Sequence, residues 1–169
     1  CNDAIDEFVS PDYTLWPFWV DTHVTPPFKK KENGKIVDAY GHEVKYYPEV
    51  PEVLEALTKA GYKLGVASRT SAAEEAYQLI SLFGWKQYFT VCEIYPGSKV
   101  THFNEFNRKT KIAYERMLFF DDEYRNIKDL NAKGVVSILV NKGVSKQVVK
   151  DGILEFEKKR AAKNSLSKD

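Results

Sequence analysis

Cysteine is nearly absent from this 169-residue chain. Cys1 and Cys92 are the only two, too few for a disulfide framework, and their scarcity fits a reducing compartment. Histidine is almost as scarce: His23, His42 and His102 lack the spacing of a metal-ligand motif, so each reads as a structural or flap residue. Neither sign of charge is in excess. Lys+Arg 25 against Asp+Glu 24 leaves +1, which provides no field to hold nucleic acid or an acidic membrane surface. No apolar stretch approaches the ~20 residues of a membrane span, and no signal-peptide pattern is visible. Repeats and low-complexity segments are missing as well. These absences leave a soluble, cytoplasmic protein as the expectation, a monomer because no apolar face is left over. The length suits one domain with a proper core and is short for two ordinary ones. Cys1 cannot initiate translation, so the chain reads as a processed product, a fragment or an incomplete gene model, and nothing else in it favours a lipid anchor at that cysteine.

What is present is most concentrated in the run Met117-Leu118-Phe119-Phe120-Asp121-Asp122-Glu123. Four consecutive apolar residues read as a strand buried on both faces of a parallel sheet. The acids that end it fall where open α/β sheets place their ligands. Adjacent carboxylates repel each other and resist desolvation, so a cation should offset them, and hard oxygen donors suit Mg²⁺. The same acids would also suit an ordinary first helical turn.

Strands and helices alternate along the chain. Residues 4–9 make a short, poor strand, broken by Asp6 and Glu7. Residues 16–47 carry prolines, lysines and the hairpin signal Asn33-Gly34, which fits a small β-flap, bounded at about 24–47, rather than a domain. Residues 48–60 are helical, with Val50, Val53, Leu54 and Leu57 on one face and Gly61 closing the helix. Strands follow at 62–67, 88–94, 117–120 and 135–140, with helices to about 83, from about 100, over 125–133 and over 146 to about 159. The tail, about 158–169, is polar and expected to fray. Its Lys158-Lys159-Arg160 reads better as a solvated helix end than as an import signal. The expected fold is α/β: a Rossmann-like parallel sheet flanked by helices, with a small β-flap cap, in one domain spanning 1–169.

Polar residues gather at successive strand ends: Asp12-Tyr13-Thr14, then Ser68-Arg69-Thr70-Ser71, then Lys99, then Asp121-Asp122. Acids from two strand ends would hold a divalent cation. A hydroxyl, a guanidinium, an ammonium and the N–H groups of a helix start would surround a dianionic group beside it, which describes a phosphoryl site. Singly, each has a plainer reading. Ser68 or Ser71 would be a helix cap, Arg69 a surface residue, Lys99 a solvated loop residue and Asp12 a turn cap. Trp16, Phe18 and Trp19 serve equally as a substrate entrance or as packing for the flap, and Cys92 reads as a buried strand thiol.

The segments at 11–23, 67–71 (Ala67-Ser68-Arg69-Thr70-Ser71), 95–103 (Tyr95-Pro96-Gly97-Ser98-Lys99-Val100-Thr101-His102-Phe103) and 119–126 resemble the magnesium-dependent phosphatase-1 branch of the haloacid dehalogenase superfamily, in order and over nearly the whole chain. The resemblance implies Mg²⁺-dependent hydrolysis of phosphomonoesters through an aspartyl-phosphate, as in a protein-tyrosine phosphatase or sugar-phosphate phosphatase. It makes Asp12 the general acid/base and, through its carbonyl, a metal ligand. Thr14 becomes the motif threonine, Ser68 and Arg69 the phosphate binders, Lys99 the neutralising lysine, and Asp121 and Asp122 the metal-binding acids. The substrate it implies is a phosphorylated protein or a sugar phosphate.

One position departs from that pattern. Where the nucleophilic aspartate belongs, this chain has Ser10, and the residues before it are more polar than a central strand should be. Serine there has no evident activating base, and one metal carboxylate is gone. The expectations are an impaired phosphatase whose first residues come from an alternative or mispredicted exon, or a pseudophosphatase that binds a phosphorylated ligand without hydrolysing it.

Overall fold

The computed structural model describes residues 6–166. Five parallel strands form the main sheet in the order β5-β4-β1-β6-β7: β1 Asp6–Val9, β4 Lys63–Ser68, β5 Phe89–Ile94, β6 Met117–Asp121 and β7 Val136–Leu139. A two-residue antiparallel pair, β2 Lys29–Lys30 and β3 Ile36–Val37, makes the flap hairpin. Its turn passes through Gly34 at φ +85, as the Asn33-Gly34 signal predicts. Helices α1 Val50–Lys59, α2 Ala73–Leu82 and α5 Lys146–Leu166 belong to one face, and α3 Lys99–Thr110 and α4 Tyr124–Asn131 to the other. This is the expected α/β fold.

The strand β6 shows why its sequence is apolar without interruption. Met117 and Phe119 join the core beneath α3 and α4, while Leu118 and Phe120 join the core beneath α1 and α5. Both faces are covered, so both sets of alternating side chains are buried. Two glycines are needed where rings fill these layers. A Cβ on Gly65 would lie 2.6 Å from the Phe8 ring, and one on Gly152 would lie 2.7 Å from the Phe120 ring.

Two expectations change. Residues 6–9, read as a poor strand, form the central strand of the sheet, paired to β4 on one side and to β6 on the other. Neighbours on both edges hold its backbone whatever its side chains prefer. The consequence is severe burial: Asp6 and Glu7 are 2 % and 1 % exposed. Asp6 Oδ1 and both carboxyl oxygens of Glu7 have no hydrogen-bond partner, and Glu7 sits among Val9, Leu15, Val53, Leu57 and Phe120. The part of the predicted strand at residues 4–5 lies outside the described residues. The second change is the tail, where α5 continues to Leu166. Lys, Glu, Ala and Arg are strong helix formers; Lys159 and Glu155 pair along the helix at 3.9 Å, and Lys163 reaches Glu115 outside it at 3.3 Å.

Burial alone pushes the Glu7 carboxyl up to about 8 from an ordinary 4.5, and burial also lifts Asp6 to about 6. The folded chain therefore holds protons that the unfolded chain releases. The Glu7 contribution to stability falls as pH rises from about 4.5 to about 8. At pH 7 the Glu7 contribution is about 3 kcal/mol of destabilisation. Glu7→Leu is expected to raise the thermal midpoint at pH 7 and to flatten its decline across this window. Melting curves from pH 5 to 8 check it, and an unchanged slope would contradict it.

Candidate active site

The ends of β1, β4 and β6 and the start of α3 meet at one cleft of about 360 Å³. Ser10 continues the strand one residue past β1, its N–H donating to Phe120 O at 3.0 Å. The chain then turns tightly, with Pro11 O accepting from the Thr14 and Leu15 N–H groups and Tyr13 in the left-handed region at φ 54. This turn leaves Asp12 on the cleft wall. Asp12 Oδ1 accepts from Trp16 Nε1 at 2.8 Å and from Val20 N–H at 3.2 Å. Burial outweighs these bonds and lifts the carboxyl to about 6, with Asp21 adding to the rise.

At the end of β4, Ser68 Oγ accepts from the Thr70 N–H at 3.2 Å, and Thr70 Oγ1 accepts from the Ala72 N–H at 3.1 Å. Helix α2 begins beyond both, capped at Ala72 without a side-chain bond, so neither Ser68 nor Ser71 is its cap. Arg69 is partly exposed. Its Nη1 donates to Asn126 Oδ1 at 3.4 Å and lies 3.9 Å from Glu123 Oε2.

Lys99 is the first residue of α3, whose Ser98 cap accepts from the Val100 N–H. Its side chain is buried rather than solvated. Nζ donates to Ala67 O at 2.6 Å and to Asp121 Oδ2 at 3.3 Å, and stands 5.0 Å from the centre of the Phe119 ring. Burial pulls the ammonium below its ordinary range, and Asp121 opposes that shift. Asp121 also accepts from Asn126 Nδ2 at 2.8 Å and from the Glu123 N–H at 3.1 Å. Asp122, half-buried beside it, is lifted to about 7, chiefly by burial and then by a hydrogen bond with Asp121 and its charge.

Ser10, Asp12, Ser68, Arg69, Lys99, Asp121 and Asp122 thus line the same cleft. Thr14 does not. It is fully buried, and its Oγ1 lacks a hydrogen-bond partner. The aromatic group divides: Trp16 stacks on Phe18 and Trp85 in the core, while Trp19, 47 % exposed, lines the cleft. Cys92 is half-buried, and burial pushes its thiol up to about 11. Trp19 itself leans on His23, which accepts from its N–H at 2.9 Å and stacks with it.

Sequence reasoning overlooked Asn126, buried yet polar, which bridges Arg69 and Asp121. An asparagine five residues past a strand-end acid, on the first turn of the next helix, was the available signal. Thr70, Asp21, Thr22, Glu123 and Arg125 also line the cleft. Among the described residues, no three Asp, Glu, His or Cys side chains are gathered closely enough to cage a metal. The oxygen donors of Asp12, Asp121 and Asp122 suit a hard cation that keeps several of its waters, as Mg²⁺ habitually does.

Residues 11–159 match the family model described as Acid Phosphatase. Magnesium-dependent phosphatase 1 of Homo sapiens is 51% identical over 147 residues, covering 87% of this chain and 84% of that protein. A HAD-like hydrolase superfamily protein of Schizosaccharomyces pombe is 42% identical over 126 residues, covering 68% of this chain and 73% of its own length. Among solved structures, a haloacid dehalogenase-like hydrolase from Streptococcus pneumoniae shares the fold at a TM-score of 0.61 and 12% identity, over 92% of each chain.

Lys99→Met removes the ammonium that faces Asp121 and leaves a buried carboxylate short of its cation. It is expected to destabilise the fold by about 3 kcal/mol, whereas Lys99→Met combined with Asp121→Asn recovers much of that loss. Urea unfolding of the two variants checks this, and equal losses would contradict it.

Proposed function

This chain belongs to the acid phosphatase family of haloacid dehalogenase-like hydrolases, and we propose that its cleft is a Mg²⁺-dependent phosphomonoesterase site whose nucleophile has been replaced by Ser10. The observation that carries the reading is the meeting of Asp12, Ser68, Arg69, Lys99, Asp121 and Asp122 around one cleft at the C-terminal ends of the strands.

In this reading Asp121, Asp122 and the Asp12 main-chain carbonyl hold Mg²⁺. When bound, the ion supplies charge to neutralise phosphate oxygens and orient them. Ser68 Oγ, the N–H groups that follow it and the Arg69 fork receive the phosphoryl oxygens. Lys99 supplies a second positive charge, aimed by Ala67 O and Asp121. Asp12, lifted to about 6, is suited to hold a proton for the leaving oxygen and then to take one from water. Thr14 supports the turn from within the core. The open cleft, with Trp19 at its rim, suits a phosphotyrosyl protein or a sugar phosphate. A cytoplasmic monomer remains the setting we propose.

Ser10 is the weak member. Among the described residues, none of its hydrogen bonds reaches a carboxylate or an imidazole, so its hydroxyl has no base to activate it. A serine phosphate would also be a far poorer intermediate than the mixed anhydride of an aspartate. That favours a second reading, in which this chain binds a phosphorylated ligand and does not turn it over.

Hydrolysis of p-nitrophenyl phosphate in Mg²⁺ decides between these readings. Ser10→Asp is expected to exceed the unaltered chain by ~10³-fold or more, with its activity lost to a chelator. Comparable turnover by both would refute the assignment of Ser10. No turnover by Ser10→Asp, with inorganic phosphate still bound, would leave the binder.

A further inference from the structure

His102 has no part in the chemistry above, yet it is fully buried on the first turn of α3 and touches three segments that build the cleft. Its Nδ1 lies 2.9 Å from Ser98 O. Its Nε2 lies 2.7 Å from Ser68 O and 2.8 Å from Tyr95 O. All three partners are carbonyl oxygens, which accept and never donate. A neutral imidazole carries one N–H. Either tautomer would therefore aim a bare ring nitrogen at a carbonyl oxygen within 3 Å, a repulsive contact. The ring satisfies its surroundings only when it donates from both nitrogens. The Tyr95 ring stacks on it at 4.3 Å between centres and 17° between planes, a face that favours a cation.

The three carbonyls are not scattered. Ser68 ends β4 and opens the turn that carries Arg69. Tyr95 follows β5, its own N–H donating to Ser68 O at 3.1 Å. Ser98 caps the helix on which Lys99 is the first residue. We propose that His102 is a positioning residue, held as an imidazolium, which pins the Ser68 turn to the 95–99 loop and sets a fixed positive charge behind the backbone that carries Ser68 and Lys99. Other charges surround it. Lys99 and Arg69 lie toward the cleft, while Glu93 bonds the Tyr95 hydroxyl and pairs with Lys109, and Glu105 also acts on Tyr95. The consequence for binding rests on the phosphate role proposed for Ser68 and Lys99. The protonation of the ring does not.

Long-range ¹H–¹⁵N spectra of the full ¹⁵N-labelled chain at pH 7 test the protonation directly, with His102 assigned by the signals that His102→Gln removes. Two protonated ring nitrogens with exchange-protected N–H protons are expected. One unprotonated nitrogen overturns the proposal. Inorganic phosphate titrated in Mg²⁺ tests the positioning. His102→Gln keeps N–H donors on one nitrogen only, puts a carbonyl acceptor in place of the other and loses the charge, so phosphate should bind ~10-fold more weakly while the fold is retained. Unchanged affinity in a folded His102→Gln overturns the positioning role. If His102→Gln does not fold, the His102 signals are assigned through the neighbouring backbone and the unaltered chain decides. If the unaltered chain binds no phosphate, the phosphate reading of the cleft fails, and the spectrum still decides the state of His102.

Discussion

The Lys99–Asp121 contact, 3.3 Å between two side chains that are both essentially buried, is the constraint around which the cleft is organised. Neither charge is stable out of water alone. The ammonium is therefore bound to Ala67 O at the end of β4 and to the carboxylate at the end of β6, and the carboxylate is bound in turn by Asn126. These bonds reach from the β5–α3 junction across two strands to α4. Asn126 then passes the order on to Arg69. A parallel sheet covered on both faces leaves the strand ends as the place where polar groups can meet, and the cleft groups gather at the C-terminal ends of β1, β4 and β6.

The same sheet explains why β1 is its least comfortable strand. β1 is central and paired on both edges, and Ser10 is aimed from its tip. Yet it buries two carboxyl groups that lack partners, one of them in an aliphatic pocket. The strand and the residue it presents depart together from what the proposed phosphatase site would need: an apolar support and a carboxylate nucleophile. From Asp12 onward, the side chains of Asp12, Ser68, Arg69, Lys99 and Asp121 each have a hydrogen-bond partner that sets their direction, in keeping with the family match that begins at residue 11.

Much of this was legible without coordinates. The acid-tipped apolar run, the Asn33-Gly34 turn and the 48–60 amphipathic pattern each obey local rules, and each formed where its rule put it. Polar residues at successive strand ends named Asp12, Ser68, Arg69, Thr70, Lys99, Asp121 and Asp122 on the cleft wall. What escaped the sequence was decided by tertiary context. A strand carrying Asp6 and Glu7 violates its own propensity and is held by its neighbours. Thr14 looks like a site residue by motif but turns into the core. Lys99 belongs to the site by its position among the strand ends, but its burial against Ala67 O and the Asp121 carboxylate was not legible in the sequence. Asn126 and His102 matter through contacts 57 and 34 residues distant in sequence, which no local pattern reports.

The central claim is that the cleft is an assembled phosphoryl site lacking only its carboxylate nucleophile. Beryllofluoride mimics a phosphoryl group bonded to a carboxylate oxygen, so ¹⁹F NMR of the chain with Mg²⁺ and beryllofluoride tests that claim most directly. We expect no protein-bound fluoride signal from the unaltered chain and a Mg²⁺-dependent bound signal from Ser10→Asp. A bound signal from the unaltered chain, or none from a folded Ser10→Asp, would contradict it.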